Sequence, residues 1–284
     1  MGSTQESGIV NPPTAEHIDI DVRSVRVDEM GLCQALYVRV MHLQPGDGGI
    51  NGRLLSAFQA NGGVVLGAFA GNQLIGFAYS FIGRDVDSET DEVYQYSQLA
   101  VVDPAWQGRG VGRRLKYAQR DACLKRSITR IRWAFDPLKT RNGHFNLSVL
   151  GARIIKFVPA MYGERGFGDD PTYNPTDRFV VEWDLEHSSP APRFSINESI
   201  ARSAGFAATI RRENDLLVIM PADWAELRNE YEWARAEKLM VESRAVFENI
   251  VSARWIGVRC DVVARGIAAY QFVSPAAGRL GASA

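Results

Sequence analysis

The sequence predicts an α/β fold: a mixed, largely antiparallel sheet of about seven strands, flanked by helices. Three observations predict it. Two β-rich runs, 64–70 and 73–83, are separated by Gly71-Asn72, a dipeptide that suits a tight hairpin between antiparallel strands. Apolar residues between 32 and 43 recur at helical spacing. Residues 92–135 alternate strand, glycine-rich turn, helix and strand, which is the order of a βαβ unit.

The other elements of this region follow in chain order. They are a strand at 18–27, helices at 32–43 and 53–59, a short helix at 142–150, and strands at 153–158 and 179–185. The last two strands bracket a loop of about fifteen residues, 163–177, a length typical of a functional loop or lid. A polar, aperiodic leader at 1–17 precedes the sheet and is expected to be flexible.

A second, smaller region follows the segment HSSPAPR at 187–193. We therefore expect a first domain at 18–187 and an α+β domain at 194–284. The elements expected in the smaller domain are a strand at 216–221, a helix capped by Asp223, a long helix at 233–250, and strands at 255–263 and 267–272. It contains no recognisable motif. We expect it to extend the ligand site of the first domain, to form a dimer interface, or to be a degenerate half of the same fold.

Composition argues against several classes of partner. The 32 basic and 33 acidic residues nearly cancel, which leaves no electrostatic footprint for a nucleic acid. The longest apolar runs are much shorter than the roughly 20 residues that span a membrane, and no secretion signal is recognisable. The three cysteines and four histidines show no disulfide or metal-binding spacing. A cytoplasmic protein without a metal is the simplest expectation.

The segment QGRGVG, Gln107 to Gly112, follows a strand and opens a helix. A pyrophosphate site needs several backbone N–H groups that point into one concavity at a helix N-terminus. Glycines at 108, 110 and 112 remove Cβ atoms that would hold a phosphate away, and arginines at 109, 113 and 114 add positive charge. Two other phosphate-binding motifs do not fit this segment. A P-loop would end in Gly-Lys-Ser/Thr, and a dinucleotide-binding turn would have glycine in place of Arg113. The glycines by themselves would equally suit a simple strand-to-helix turn.

This segment resembles motif A of the GNAT superfamily of N-acyltransferases, Arg/Gln-x-x-Gly-x-Gly/Ala, at Gln107, Gly110 and Gly112. The preceding LAVVDPAW resembles the fourth strand of that family. The stretch WAFDPLKTRNGHFNLSVLGA, 133–152, resembles a branch of bacterial GNAT-type proteins with the pattern Trp-x-Phe-Asp-Pro-Leu and Asn-x-x-Phe-Asn-Leu. The resemblance covers residues 18–185 and implies that acetyl-CoA or another short acyl-CoA is the co-substrate.

The resemblance also implies how coenzyme A is bound. In GNAT enzymes the fourth strand carries a bulge and separates from the fifth, and the pantetheine arm lies in the resulting cleft. The residues that would contact coenzyme A are Leu99, Val101, Val102, Gln107, Gly108, Arg109, Gly110, Val111, Gly112, Arg113, Asn142 and Asn146. Asn142 would alternatively serve only as the N-cap of its helix.

Proton transfer is where the sequence departs from the family. Many members place a Glu on the fourth strand, but this position falls at Tyr96, and the nearest carboxylate on that face is Glu92. Aliphatic residues such as Leu147 occupy the place of the usual Tyr on the helix after the fifth strand. The candidates for catalysis are therefore Glu92, Tyr96, His144 and Tyr162. Each also has a structural interpretation, as a solvent-facing strand end, a helix-terminal side chain or a packing residue.

Three further residues are expected at the rim of the cleft. Asp136 follows a strand at its C-terminal end, where ligands bind in open α/β sheets, and would recognise the acceptor amine. Arg141 and Arg178 would bind a carboxylate on the acceptor. Asp136 before Pro137 is also an ordinary turn initiator, and the arginines would also suit surface salt bridges.

Two functions from different classes stay open. The first is an acyl-CoA-dependent N-acyltransferase that acts in a ternary complex on a primary amine, for instance that of an amino acid. The second is a non-catalytic CoA-binding module with a regulatory or scaffolding role, which the missing Glu and Tyr favour.

Overall fold

A computed structural model describes residues 19–44, 49–85, 92–163, 176–227 and 233–274 of the chain. Within these ranges, eleven strands form one sheet with helices packed against it. The strands are β1 (Ile20–Ser24), β2 (Val64–Ala70), β3 (Gln73–Arg84), β4 (Val93–Val102), β5 (Arg130–Phe135), β6 (Arg153–Val158), β7 (Arg178–Asp184), β8 (Thr209–Arg211), β9 (Asp215–Pro221), β10 (Ile256–Ala264) and β11 (Ile267–Val273). The helices are α1 (Met30–Met41), α2 (Gly52–Ala60), α3 (Val111–Leu124), α4 (Thr140–Gly143), α5 (Glu198–Ala204), α6 (Trp224–Leu227) and α7 (Trp233–Ser252), and a π-helix (His144–Val149) continues α4.

The strands lie in the order β1-β2-β3-β4-β5-β7-β6-β10-β11-β9-β8. Neighbouring strands run antiparallel, except β4 and β5, which run parallel. The predicted mixed, largely antiparallel sheet flanked by helices is therefore confirmed. The predicted hairpin is also present, with Ala70 opposite Gln73 and Gly71 at a φ of +57°.

Both faces of the first strands are covered, which explains why β2 and β3 are almost continuously apolar. Alternate residues of β2 face opposite sides of the sheet. Val65 packs with Leu36 of α1 and Leu55 of α2, whereas Leu66 packs with Leu115 of α3. Helix α3 is thereby held against β2, β3 and β4.

The strands after residue 190 continue the same sheet. β10 pairs with β6 at Gly257 opposite Ile154, and a Cβ on Gly257 would lie 2.4 Å from Ile154 Cδ1. The ring of Phe179 in β7 lies 4.7 Å from that of Phe247 in α7 and 5.6 Å from that of Tyr270 in β11. One apolar core therefore draws on both parts of the chain, and the domain boundary near residue 190 stays a prediction.

The predicted helix at 142–150 differs from the structure in two ways. It begins at Thr140, and from His144 onward it is a π-helix, in which the N–H of Leu150 donates to the carbonyl of Phe145 at 3.0 Å. Asn142 therefore lies inside the helix and is not its N-cap, which corrects that alternative.

Parts of the predicted organisation lie outside the described residues, namely the leader at 1–17 and residues 164–175 of the long loop. Helix α5 and strand β8 carry too little periodicity to be predicted from sequence. Among the described helices, none combines the length and apolar character that crossing a membrane requires.

Candidate active site

A cleft opens between β4 and β5. β4 pairs with β5 only at Gln95 and Tyr96, and beyond Tyr96 it is paired on its β3 side alone. A bulge at Gln98 interrupts the pairing of β4 with β3, because Leu99 and Ser97 lie opposite consecutive residues of β3. The backbone of β4 after Tyr96 therefore has a free edge toward the cleft. The bulge and the strand separation are both features that the family resemblance implies.

The residues predicted along the pantetheine arm present mainly backbone to this cleft. The Val101 side chain is buried in the core beneath α1 and α2, and Leu99 is half-buried against the same core. The carbonyl of Val102 accepts a hydrogen bond from Gln107 Nε2 at 3.1 Å. Gln107 thereby braces the following loop against the end of β4.

The loop after β4 has a shape that suits an anion. Gly108 and Gly110 have φ angles of +75° and +79°, and a Cβ at either position would meet no atom within 4 Å. Helix α3 begins at Val111, whose side chain is buried, so the N–H groups of Val111 and Gly112 in its first turn lack intrahelical acceptors. The loop can therefore direct several N–H groups at a diphosphate, which fits coenzyme A.

All three arginines near the loop are exposed, but they make different contacts. The guanidinium carbon of Arg109 lies 5.1 Å from the Trp106 ring centroid, and that of Arg113 lies 5.5 Å from the Tyr117 ring centroid. Arg114 instead donates to a carbonyl of β1 at 3.2 Å. Arg109 and Arg113 can therefore reach a phosphate, while Arg114 ties α3 to the sheet.

The face of the sheet opposite α3 carries a row of aromatic side chains that ends at the cleft. The ring of Phe58 in α2 lies 5.9 Å from that of Tyr79 and 5.4 Å from that of Phe81, and Phe81 lies 5.4 Å from Tyr96. We call these four residues the aromatic wall. It gives this side of the cleft an apolar surface with hydroxyl groups.

The structure brings together two of the predicted catalytic residues. Tyr162, which follows β6, is hydrogen-bonded to Tyr96 of β4. Burial is the main cause that raises the pKa of Tyr96 well above its usual value, and the proximity of Tyr162 raises it further. Burial also raises the pKa of Tyr79 to about 12. The Tyr96 hydroxyl is therefore protonated at neutral pH.

The predicted rim residues lie at the C-terminal end of β5 and nearby. Arg178 stacks over Tyr162, with its guanidinium carbon 5.3 Å from the ring centroid. The N–H of Leu138 donates to Asp136 Oδ1 at 2.9 Å, so Asp136 does form the predicted turn. Burial nevertheless raises the pKa of Asp136. Arg141 is exposed on α4.

Helix α7 anchors this rim through a residue that the sequence did not single out. Arg244 donates to both carboxylate oxygens of Asp177, at 2.9 and 2.8 Å. Asp177 Oδ1 also accepts from the N–H of Ala160 at 2.9 Å, and the N–H of Tyr162 donates to Thr176 Oγ1 at 2.7 Å. The C-terminal part of the chain therefore fixes the backbone on either side of Tyr162.

Glu92 and His144 lie away from Tyr96. Glu92 is ion-paired with Arg130 at the other end of β4, about 13 Å along the strand from Tyr96. His144 Nδ1 lies 2.9 Å from the Cys260 carbonyl of β10, and three strands separate β10 from β4. The geometry gives neither residue a part in the chemistry of the cleft.

Asn142 and Asn146, which are both expected to contact coenzyme A, do not share a helix face. Asn142 is exposed, whereas Asn146 is only 5% exposed. In the π-helix each N–H bonds to the fifth residue back, so residues four apart no longer lie one above the other. Only Asn142 is exposed for a contact with coenzyme A.

A buried lysine is a further residue that the sequence analysis missed. Lys116 of α3 is 5% exposed, and its Nζ donates to Ser97 Oγ of β4 at 2.8 Å. Burial lowers the pKa of Lys116 to about 7. A signal was present in the sequence, because Lys116 and Gln119 fall on the helix stripe that also contains Leu115 and Cys123.

Residues 43–145 match the family model described as the acetyltransferase (GNAT) family. No curated protein matches the chain in sequence. Solved structures with similar folds include the GNAT-family acetyltransferase from Streptococcus pneumoniae, which is 11% identical, covers 58% of this chain and 98% of its own, and has a TM-score of 0.45. Arabidopsis thaliana Naa50 in complex with the bisubstrate analogue CoA-Ac-MVNAL is 17% identical, with coverages of 57% and 97% and a TM-score of 0.43. The ribosomal-protein-S18-alanine N-acetyltransferase from Escherichia coli is 13% identical, with coverages of 62% and 100% and a TM-score of 0.44.

The segment that carries the cleft and the glycine-rich loop is therefore a GNAT-family acetyltransferase domain. The narrower bacterial branch suggested by residues 133–152 stays a prediction. Within the described ranges, no group of three or more histidine, cysteine or acidic side chains is placed to hold a metal ion.

Proposed function

We propose that this chain is an acyl-CoA-dependent N-acyltransferase that transfers an acetyl or other small acyl group to the primary amine of a small molecule. The cleft between β4 and β5 carries this proposal. One end of the cleft meets the open glycine-rich loop before α3, and the other end meets Tyr96 and the aromatic wall. An anchor for a diphosphate and a surface for an acceptor thus lie at opposite ends of one groove.

Backbone groups would hold acyl-CoA along its length. The N–H groups of residues 108–113 would bind the pyrophosphate, with Arg109 and Arg113 beside it. The free edge of β4 after Tyr96 would pair with the amides of the pantetheine arm. These contacts would bring the thioester to the bulge, where a β4 N–H group would stabilise the oxyanion that forms on attack.

Tyr96 and Tyr162 would orient the acceptor amine. Because Tyr96 keeps its proton at neutral pH, its hydroxyl can hydrogen-bond the amine but is a poor base. Among the residues that the structure describes, the charged and titratable groups that act on Tyr96 are Tyr162, Tyr94 and Arg178, none of which is a carboxylate. Since Tyr96 does not act as a base, we infer that the acceptor arrives as the free amine. This requirement favours α-amines over the lysine side chain, because the pKa of an α-amine is lower than the value of about 10.4 for lysine.

The rim and the aromatic wall further restrict which class of acceptor fits the cleft. Arg178 lies beside Tyr162 and can bind a carboxylate, while Asp136 can receive a hydrogen bond from the amine. The aromatic wall offers an apolar surface to the rest of the molecule. A free amino acid with an apolar or aromatic side chain combines all three properties.

Calorimetry with acetyl-CoA and succinyl-CoA, followed by an assay of thiol release, tests the proposal. We expect release to be fastest with free apolar α-amino acids, slower with their methyl esters, and slowest with Nα-acetyl-lysine, which offers only an ε-amine. Binding without release on any acceptor would instead establish a CoA-binding regulatory or scaffolding module. Failure of both esters to bind would exclude both functions.

A further inference from the structure

The apolar stripe of α3 is interrupted by a buried polar cluster. Lys116 Nζ donates to Ser97 Oγ at 2.8 Å and lies 3.5 Å from Gln119 Oε1. Nζ also lies 3.9 Å from the ring centroid of Trp133. Gln119 Nε2 is buried without a hydrogen-bond partner among the described residues. A buried cluster of this kind is costly for stability, because charged and polar groups lose water without full compensation.

The cluster lies where the two strands of the cleft separate. Ser97 follows Tyr96, the last β4 residue that pairs with β5, and Trp133 follows the β5 residue that pairs with Tyr96. Lys116 contacts both positions from the side of the sheet that α3 covers. Its amino group hydrogen-bonds Ser97 and packs against the face of the Trp133 ring. Its amino group is therefore at the closed end of the groove that would hold the thioester.

The reaction needs a proton at this end of the groove. When the acceptor nitrogen attacks the thioester and the carbon–sulfur bond breaks, the electron pair moves to sulfur and leaves a thiolate. The helix after β5 presents Leu147, which is fully buried and carries no proton to donate. Lys116 and Ser97 do carry such protons at the base of the cleft.

We propose that Lys116, acting through the Ser97 hydroxyl, delivers the proton to the sulfur of the departing coenzyme A. This inference rests on the proposed acyltransferase function. The Ser97 hydroxyl gives its proton to the thiolate as the carbon–sulfur bond breaks, and Lys116 replaces that proton. The acceptor nitrogen, which has formed the new bond to carbon, releases its own proton to water. Lys116 regains a proton from water once coenzyme A has left the cleft.

The acidity of Lys116 suits this task. Burial lowers its pKa to about 7, whereas a thiol has a pKa of about 8.5, so the transfer to sulfur is downhill. On α3 the other titratable group acting on Lys116 is the buried thiol of Cys123. β4 and β5 present Ser97 and Trp133 to it. A lysine with an ordinary pKa of about 10.4 would be a poor proton donor at neutral pH.

Leaving-group rescue tests the proposal. Lys116→Met keeps the length of the side chain, and Lys125→Met changes an exposed lysine at the end of the same helix as a control. With acetyl-CoA, Lys116→Met should lower kcat by about 10²-fold and leave the KM for acetyl-CoA within about threefold. With the selenoester of coenzyme A, whose selenolate leaves without protonation, the loss should shrink to a few fold. Lys116→Met should also lack the fall in kcat that the wild type shows above about pH 7.

An equal loss with thioester and selenoester, or no loss with either, would overturn the proposal. If Lys116→Met fails to fold, Ser97→Ala decides, since it should show the same dependence on the leaving group while keeping the lysine. Failure of the Lys116 proposal differs from failure of the proposed function. In the first case the wild type still turns over both donors, whereas in the second the wild type itself would be inactive.

Discussion

Gly110 is the residue on which the proposed coenzyme A site depends most directly. It is the N-cap of α3 and has a φ of +79°, a conformation that side-chain-bearing residues rarely adopt. The space over its Cα is open, so any side chain placed there would occupy the volume expected for a phosphate. The site therefore uses glycine both for its backbone angle and for its missing Cβ.

Gly110→Glu should weaken acetyl-CoA binding by at least about 100-fold, because a carboxylate would enter the phosphate position and repel it. The matched control is Gly266→Glu in the turn between β10 and β11. Gly266 has a φ of +77° and equally open surroundings, so the same substitution there causes the same backbone strain away from the cleft. Isothermal calorimetry measures both variants. Equal losses in the two variants, or none in Gly110→Glu, would contradict the role of the loop.

Among the helices, α7 positions the rim of the cleft, because it supplies the guanidinium of Arg244. Asp177 is bound at both oxygens by Arg244, and Arg178 follows it directly in the chain. Arg178 in turn stacks over Tyr162. Arg178 and Tyr162 are therefore positioned by Arg244, which lies more than sixty residues later in the sequence.

Arg244→Ala should raise the KM for the acceptor by roughly tenfold while changing kcat and the KM for acyl-CoA much less, because the loss is in positioning. Arg244→Lys should recover part of this loss. Lys238→Ala, which removes an exposed ion pair of the same helix with Glu242, is the control and should have no effect. Steady-state kinetics with both substrates varied would contradict the account if the acyl-CoA KM rose as much as the acceptor KM.

At the scale of the whole molecule, the features predicted from sequence are those with a strong local signal. The hairpin at Gly71 and the glycine-rich loop at Gly110 depend on backbone angles that few residue types adopt, so their sequences identify them. The predictions that did not hold depended on contacts distant in sequence. The π-helix packs against β10, Glu92 is neutralised by Arg130, and His144 is held by Cys260. No local sequence pattern indicates contacts between residues so far apart in the chain.

Lys116 and Arg244 went unrecognised for related reasons. A lysine on an amphipathic helix is ordinarily solvent-exposed, and only the packing of α3 against β4 and β5 shows that Lys116 is buried. The partner of Arg244 lies 67 residues away. In the sheet, β10 continues the order after β6, and Arg244 binds Asp177 from across the predicted boundary.

Hydrogen–deuterium exchange with and without acetyl-CoA tests the central claim most directly, because it reports where along the chain coenzyme A is held. Acetyl-CoA should slow exchange at the amides of residues 97–102 and 108–113, which form the free edge of β4 and the loop before α3. The amides of β9, which lies at the far side of the sheet, should be unaffected. Protection confined to other segments, or none at saturating acetyl-CoA, would contradict the account.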